Sequence, residues 1–177
     1  GEIRAVYRNS LGEDSSGGGL GLYSDCTGNA GAKIYLSGSD RGDSLNSVLS
    51  FYTDSTERMT ILKGGNVGIG TTSPTSTLHN AGSIAMPITT KTADYTAGAS
   101  DYTILVSCSS ANITITLPAV ASYVGRIYNI KKIDATGYTV IIDGNSSETI
   151  DGALTQTIST QYETITIQNN GSAWYII

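Results

Sequence analysis

One histidine, two cysteines and a scatter of carboxylates are what this chain of 177 residues offers to chemistry. His79 has no nucleophile-elbow sequence near it, so a Ser–His–Asp triad is not expected, and a structural or solvent-exposed side chain is. Symmetry offers it another use: three copies of His79 meeting on a trimer axis would present three ligands to a metal ion. Gly68-Ile69-Gly70-Thr71-Thr72-Ser73 superficially suggests a dinucleotide loop, but the third glycine is missing and no helical pattern follows. Cys26 and Cys108 fall one in each half, without partners at metal-ligand spacing, and read as two unpaired thiols. Asp134, Asp143, Glu148 and Asp151 gather in the C-terminal half, where a glycosidase would need two carboxylates facing each other across a sugar. They lie mostly in turn-like sequence, where Asp bonds the backbone, and no loop alternates oxygen ligands as a calcium site does. No catalytic residue and no cofactor is expected, and the chain reads as a non-enzyme.

The remaining short motifs are ones of recognition. Arg41-Gly42-Asp43 in a polar loop is first of all a turn. Asn112-Ile113-Thr114, Asn145-Ser146-Ser147 and Asn170-Gly171-Ser172 have the glycosylation pattern, the first of them inside a strand-like run. Tyrosines among Ser, Gly and Asn make contact surfaces of low entropic cost, and an aromatic face can stack on a sugar ring. Tyr123, in Ala121-Ser122-Tyr123-Val124-Gly125, and Tyr138, in Ala135-Thr136-Gly137-Tyr138, are the candidates for receptor contact; Trp174, in a terminal strand, is expected in the core.

Composition narrows the partners. Fifteen acidic against ten basic side chains give a net charge of -5, which offers no attractive field to a phosphate backbone, so nucleic acid is not an expected partner. No run of about 18 apolar residues occurs, and membrane insertion is not expected. The chain opens on Gly1 without an initiator Met and runs directly into strand-like alternation, which reads as a piece of a longer protein.

These residues must be carried by strands. Period-two alternation recurs in Ala32–Leu36, Ser47–Tyr52, Asn112–Leu117 and Glu163–Ile167, and no window shows helical spacing beyond a turn or so around Pro118–Val124. The class is all-β. Asp143-Gly144, Asp151-Gly152 and Asn170-Gly171 tolerate positive φ and mark tight turns, the last predicting a hairpin of Tyr162–Gln168 with Ala173–Ile177. Residues 1–71 are rich in glycine and poor in large apolar side chains, too poor to bury much surface within one chain. Residues 72–92 read as a connector and 93–177 as a domain with its own core, the boundary falling near Lys91–Tyr95. Residues 1–92 carry seven basic and eight acidic side chains, a balance of -1; residues 93–177 carry three and seven, a balance of -4.

The segment Ser50–Pro74, with Glu57-Arg58-Met59 leading to Gly65-Asn66-Val67-Gly68-Ile69-Gly70-Thr71-Thr72-Ser73-Pro74 and then Leu78-His79, resembles a stretch common in tail fibre and fibre-like proteins of bacteriophages. A second resemblance runs from Asp101 to Ile177. Asp101–Val106, Ile113–Pro118, Gly125–Asp134, Glu148–Gly152 and Trp174–Ile177 look like a β-domain of phage fibre and other virion structural proteins. Many proteins with the first motif continue into a self-cleaving chaperone domain; this chain ends at Ile177, short of one, and autoproteolysis is not expected. The resemblance implies a homotrimer with an intertwined β-rich N-terminal shaft or neck and a C-terminal β-sandwich, jelly-roll-like head. It further implies assembly in a host cytoplasm, a place on the virion surface, contact with other fibre or baseplate proteins, and attachment to a host-surface glycan or protein. The alternatives are a capsid or baseplate decoration without a receptor and a glycan depolymerase. Independently of the resemblance, Gly68 and Gly70 flanking Ile69 would let neighbouring backbones approach closely while Val67 and Ile69 point to one side, as three copies packed about an axis require.

Overall fold

A computed structural model describes residues 4–7, 19–23, 32–37 and 48–177, and among these the chain is all-β with no helix. Cys26 and the Arg41-Gly42-Asp43 triplet lie outside the described residues. The chain divides into two compact units, Gly1–Ile84 and Ala85–Ile177.

The first unit is a seven-stranded sheet in chain order: β1 (Arg4–Tyr7), β2 (Gly19–Tyr23), β3 (Lys33–Ser37), β4 (Val48–Thr53), β5 (Thr56–Ile61), β6 (Val67–Ile69) and β7 (Leu78–Asn80). Neighbours pair antiparallel except β6 with β7, which run parallel. The β4–β5 hairpin turns on Asp54 and Ser55, both at positive φ (51° and 59°), a geometry that matches the twist of the flanking strands. Gly65, at φ 84°, closes the reversal between β5 and β6, with its N–H on the Leu62 carbonyl.

Register sorts the side chains of this sheet. Leu36, Leu49, Ile61, Val67 and Leu78 oppose one another across successive strands, as do Ile34, Phe51, Met59 and Ile69, and the two rows share one face. The opposite face carries Tyr35, Ser50, Thr60, Gly68 and His79. Burial inverts the usual order: Ser50 and Thr60 are buried, while no large apolar side chain described in this unit is. The Gly70–Thr77 loop explains the polar side. It crosses that face to bring β7 alongside β6, and Thr71 lies over Gly68 so closely that a Cβ there would collide with the Thr71 carbonyl. Gly68 thus admits its own chain's loop, where the sequence had pointed to the backbones of other copies. Val67 and Ile69 do point to one side.

The second unit consists of two sheets. One has five strands in the order β16–β15–β12–β10–β8, the other four in the order β14–β13–β11–β9. The strands are β8 (Ile88–Lys91), β9 (Tyr95–Thr96), β10 (Thr103–Val106), β11 (Ile113–Thr116), β12 (Ile127–Lys132), β13 (Val140–Asp143), β14 (Thr155–Ile158), β15 (Thr164–Asn169) and β16 (Trp174–Ile176). From β8 to β13 the chain alternates between the sheets, and each strand lies parallel to the one before last: β8, β10 and β12 in one sheet, β9, β11 and β13 in the other. The chain therefore winds before β14, β15 and β16 close it with antiparallel pairings. A jelly roll is an antiparallel Greek-key structure, so the expected jelly-roll-like topology is corrected by these parallel pairings. Pairing distant strands is a property of the whole chain that no local alternation reveals.

Alternate residues of both sheets enter one core, including Ile104, Val106, Ile115, Tyr128, Ile130, Val140, Ile142, Ile158, Ile167 and Trp174. Trp174 is fully buried beside Tyr128, ring centroids 5.6 Å apart. Two residues read as connector, Pro74 and Pro87, fall in loops, but Leu78–Asn80 and Ile88–Lys91 within 72–92 are strands, one in each unit, and the division falls after Ile84. Runs of three or four residues are too short for alternation to register. Pro118–Val124 forms turns, with Ser122 N–H on the Ala119 carbonyl, and no helix. Asn170-Gly171 does carry the final hairpin, and Asp151-Gly152 a tight turn with both residues at positive φ. Gly144 has another reason to be glycine: a Cβ there would strike the Glu148 carbonyl.

Candidate binding cleft

Two loops of the second unit wall a cleft of about 540 Å³, lined in part by Met86, Pro87, Tyr102, Tyr123, Val124 and Arg126. The first loop joins β9 to β10. Asp101, 6% exposed, fixes it by accepting the Tyr95 hydroxyl and the Gly98 N–H, both at 2.9 Å. The Tyr128 hydroxyl donates to the Gly98 carbonyl at 2.9 Å, and burial pushes the phenol up to about 12, so it stays a donor at any physiological pH.

The second loop, between β11 and β12, hangs from two buried anchors. Asn169, 2% exposed, donates to the carbonyls of Val120 (2.8 Å) and Tyr123 (3.3 Å). Both oxygens of Glu148 accept the Val120 N–H, at 3.1 and 3.0 Å. Gly125, at φ 82°, turns the chain into β12 and gives its N–H to the Asn169 carbonyl. These bonds leave little freedom to Tyr123, which is half-buried under the Arg126 guanidinium, 5.7 Å from ring centroid to guanidinium carbon. Arg126 Nη2 donates to the Ala99 carbonyl at 2.6 Å and so ties the two loops together.

Among the described residues Arg126 has no carboxylate partner; the ion pair described in this unit joins Lys132 to Asp134. The cleft accordingly offers one fixed cation beside aromatic and apolar surface, with Asp101 its single carboxylate, already committed to Tyr95 and Gly98.

This chain matches no family model, no curated protein and no solved structure.

The two tyrosines singled out from sequence part company. Tyr123 lines the cleft; Tyr138, 42% exposed, lies in the loop that leaves β12, so the length of that strand, about 17 Å, separates the loops that carry them. They do not form one site. Arg126 is not among the residues the sequence singles out, although it is the one arginine beyond Arg58 and lies three residues after Tyr123 across a glycine turn. The four carboxylates of the C-terminal half do not converge on the cleft. Glu148 and Asp134 bond the backbone of Val120 and Cys108, and Asp151, at φ 48°, accepts the Ile176 N–H at 3.3 Å. Asp143 sits on β13.

Among the described residues no group of three His, Cys, Asp or Glu side chains could hold a metal ion. His79, on β7, takes the Thr75 N–H on Nδ1 at 3.3 Å, which orients the ring within the Gly70–Thr77 turn. Cys108 is buried and unpaired, its thiol pushed up by burial first and by the Asp134 carboxylate second.

Proposed function

We propose that this chain is a structural fibre protein of a virion, a phage tail fibre by its resemblance. It trimerises through its N-terminal shaft or neck and attaches to a host surface through a C-terminal β-sandwich head. The observation that carries this reading is the open face of the first sheet. Two rows of Leu, Ile, Val, Met and Phe lie on it half-buried or exposed, and Leu78, Ile69 and Leu36 are 61%, 43% and 41% exposed. A face of this kind is covered by something, and copies of the same chain supply matching rows. A balance of -1 over residues 1–92 puts little repulsion between copies. The second unit, with a core of its own, suits a head that keeps its shape whatever the shaft does.

The cleft at Tyr123 and Arg126 is then the contact point for a host glycan or protein, and the particle surface is where the chain works. Light scattering on a size-exclusion column tests the assembly. Three chains per particle are expected, and a stable, folded monomer overturns the reading. Labelled protein applied to a panel of bacterial envelopes tests attachment, with binding to at least one expected.

A further inference from the structure

The head of this chain is acidic, yet its cleft presents a cation. Of the basic side chains in residues 93–177, Lys132 is fully buried against Asp134, and Lys131 donates to the Tyr162 carbonyl and to Thr164 Oγ1. Arg126 alone combines a place in a cleft with the lack of a carboxylate partner among the described residues. One of its five N–H donors is spent on the Ala99 carbonyl, which anchors the guanidinium over Tyr123, and the other donors are left to a ligand.

We propose that the cleft binds a carboxylate-bearing saccharide, a uronate unit whose carboxylate pairs with Arg126 while its ring lies against Tyr123 and Tyr102. This rests on the host-attachment reading and names the chemistry of the receptor. Three features select this ligand. A guanidinium fork matches the two coplanar oxygens of a carboxylate. A single cation in a unit of balance -3, with Asp101 also in the wall, matches at most a monoanion and not a phosphate dianion. Tyrosine rings bordered by Met86 and Val124 suit the apolar face of a sugar. A peptide would draw on backbone groups, and three N–H groups of the cleft wall, those of Asp101, Gly125 and Arg126, are already bonded within the protein. The volume falls in the range of small-ligand sites, about 300–1,000 Å³.

The test titrates the full chain with trimers of galacturonate, glucuronate and mannuronate, each beside its carboxyl-reduced neutral counterpart, by calorimetry. At least one uronate should bind about tenfold or more tighter than its neutral partner, as expected for a charge-assisted bidentate pair. Added salt should narrow the gap. Arg126→Ala should bring the uronate to the level of the neutral sugar, and Arg126→Lys, which keeps the charge and lacks the fork, should retain only part of the gap. The comparison of ligands needs no variant and stands even if a substitution perturbs folding. Equal affinity for charged and neutral sugars overturns the proposal, as does no binding of any uronate, tighter binding of phosphosugars or an acidic peptide, or an Arg126→Ala protein that binds unchanged. Envelope binding by wild type that survives carboxyl reduction of the envelope glycans sinks this proposal and leaves attachment standing. Uronate binding without envelope binding does the reverse.

Discussion

Lys132 is fully buried and Asp134 nearly so, a placement that most chains avoid because two charges must be stripped of water. Burial disfavours the charged carboxyl, but donation from Lys132, from Thr136 and from the Cys108 N–H outweighs it and holds Asp134 well below the usual carboxylate range. The Thr136 hydroxyl also reaches the Cys108 carbonyl at 2.7 Å, so one carboxylate ties the loop after β10 to the loop after β12. Asp134→Asn strands a buried ammonium and should cost about 3–5 kcal/mol; Lys132→Met leaves Asp134 its remaining donors and should cost less. Denaturant unfolding of both variants checks the order, and the reverse order would refute this account. Because the folded carboxyl is depressed, its stabilisation is complete above the unfolded value of about 4 and fades as pH falls through the folded value. The gap between wild type and Asp134→Asn should therefore narrow below about pH 4.

Glycines at the scale of the element separate turn chemistry from close approach. Gly68→Ala on β6 would drive a methyl into the Thr71 carbonyl, so the Gly70–Thr77 crossover and the β6–β7 pairing should loosen, at about 1–3 kcal/mol. Gly64→Ala, with open space and no positive φ, should be neutral or slightly stabilising. Thermal unfolding of the two single variants distinguishes them, and equal effects would count against the packing role of Gly68. The same contrast shows what the sequence could disclose. Asn170-Gly171 between alternating runs specifies its hairpin locally, as does Asp151-Gly152 its turn, and both were legible. The Asp54-Ser55 turn lacks the usual glycine and was not read as one. Parallel partners such as Ile104 and Ile130 are set by the winding of the chain, which leaves no mark in either strand. Gly144 has the sequence context of a positive-φ turn glycine, yet the Glu148 carbonyl is what leaves no room for a side chain there. At the cleft, Tyr123 is visible as an aromatic in a turn, whereas Arg126 becomes informative only once the fold shows it without an ion-pair partner among the described residues.

Across the whole molecule, the units differ in what holds them. The second has a closed core, and residues 85–177 should fold and melt as one concentration-independent transition. The first leaves its apolar rows half-buried or exposed, so its transition should move upward with protein concentration as copies cover them. Calorimetry over a wide range of concentrations checks this, and a first-unit transition indifferent to concentration would tell against the shaft reading. The units should also differ in how quickly they form. In the sheet of Gly1–Ile84 each strand meets the one just made, so β1 to β6 can zip from hairpin to hairpin and β7 joins by a short crossover. The winding from β8 to β13 allows no such shortcut. Thr103 must wait for Asn129 and Ile115 for Ile142, and neither sheet can be completed while the other is missing. Loops must close before any contact rewards them, which places refolding of this unit toward the slow, millisecond-to-second end for small domains. During synthesis, β8 and β10 leave the ribosome well before the partner strand β12 exists, and the nascent second unit spends that interval with its core-forming isoleucines exposed.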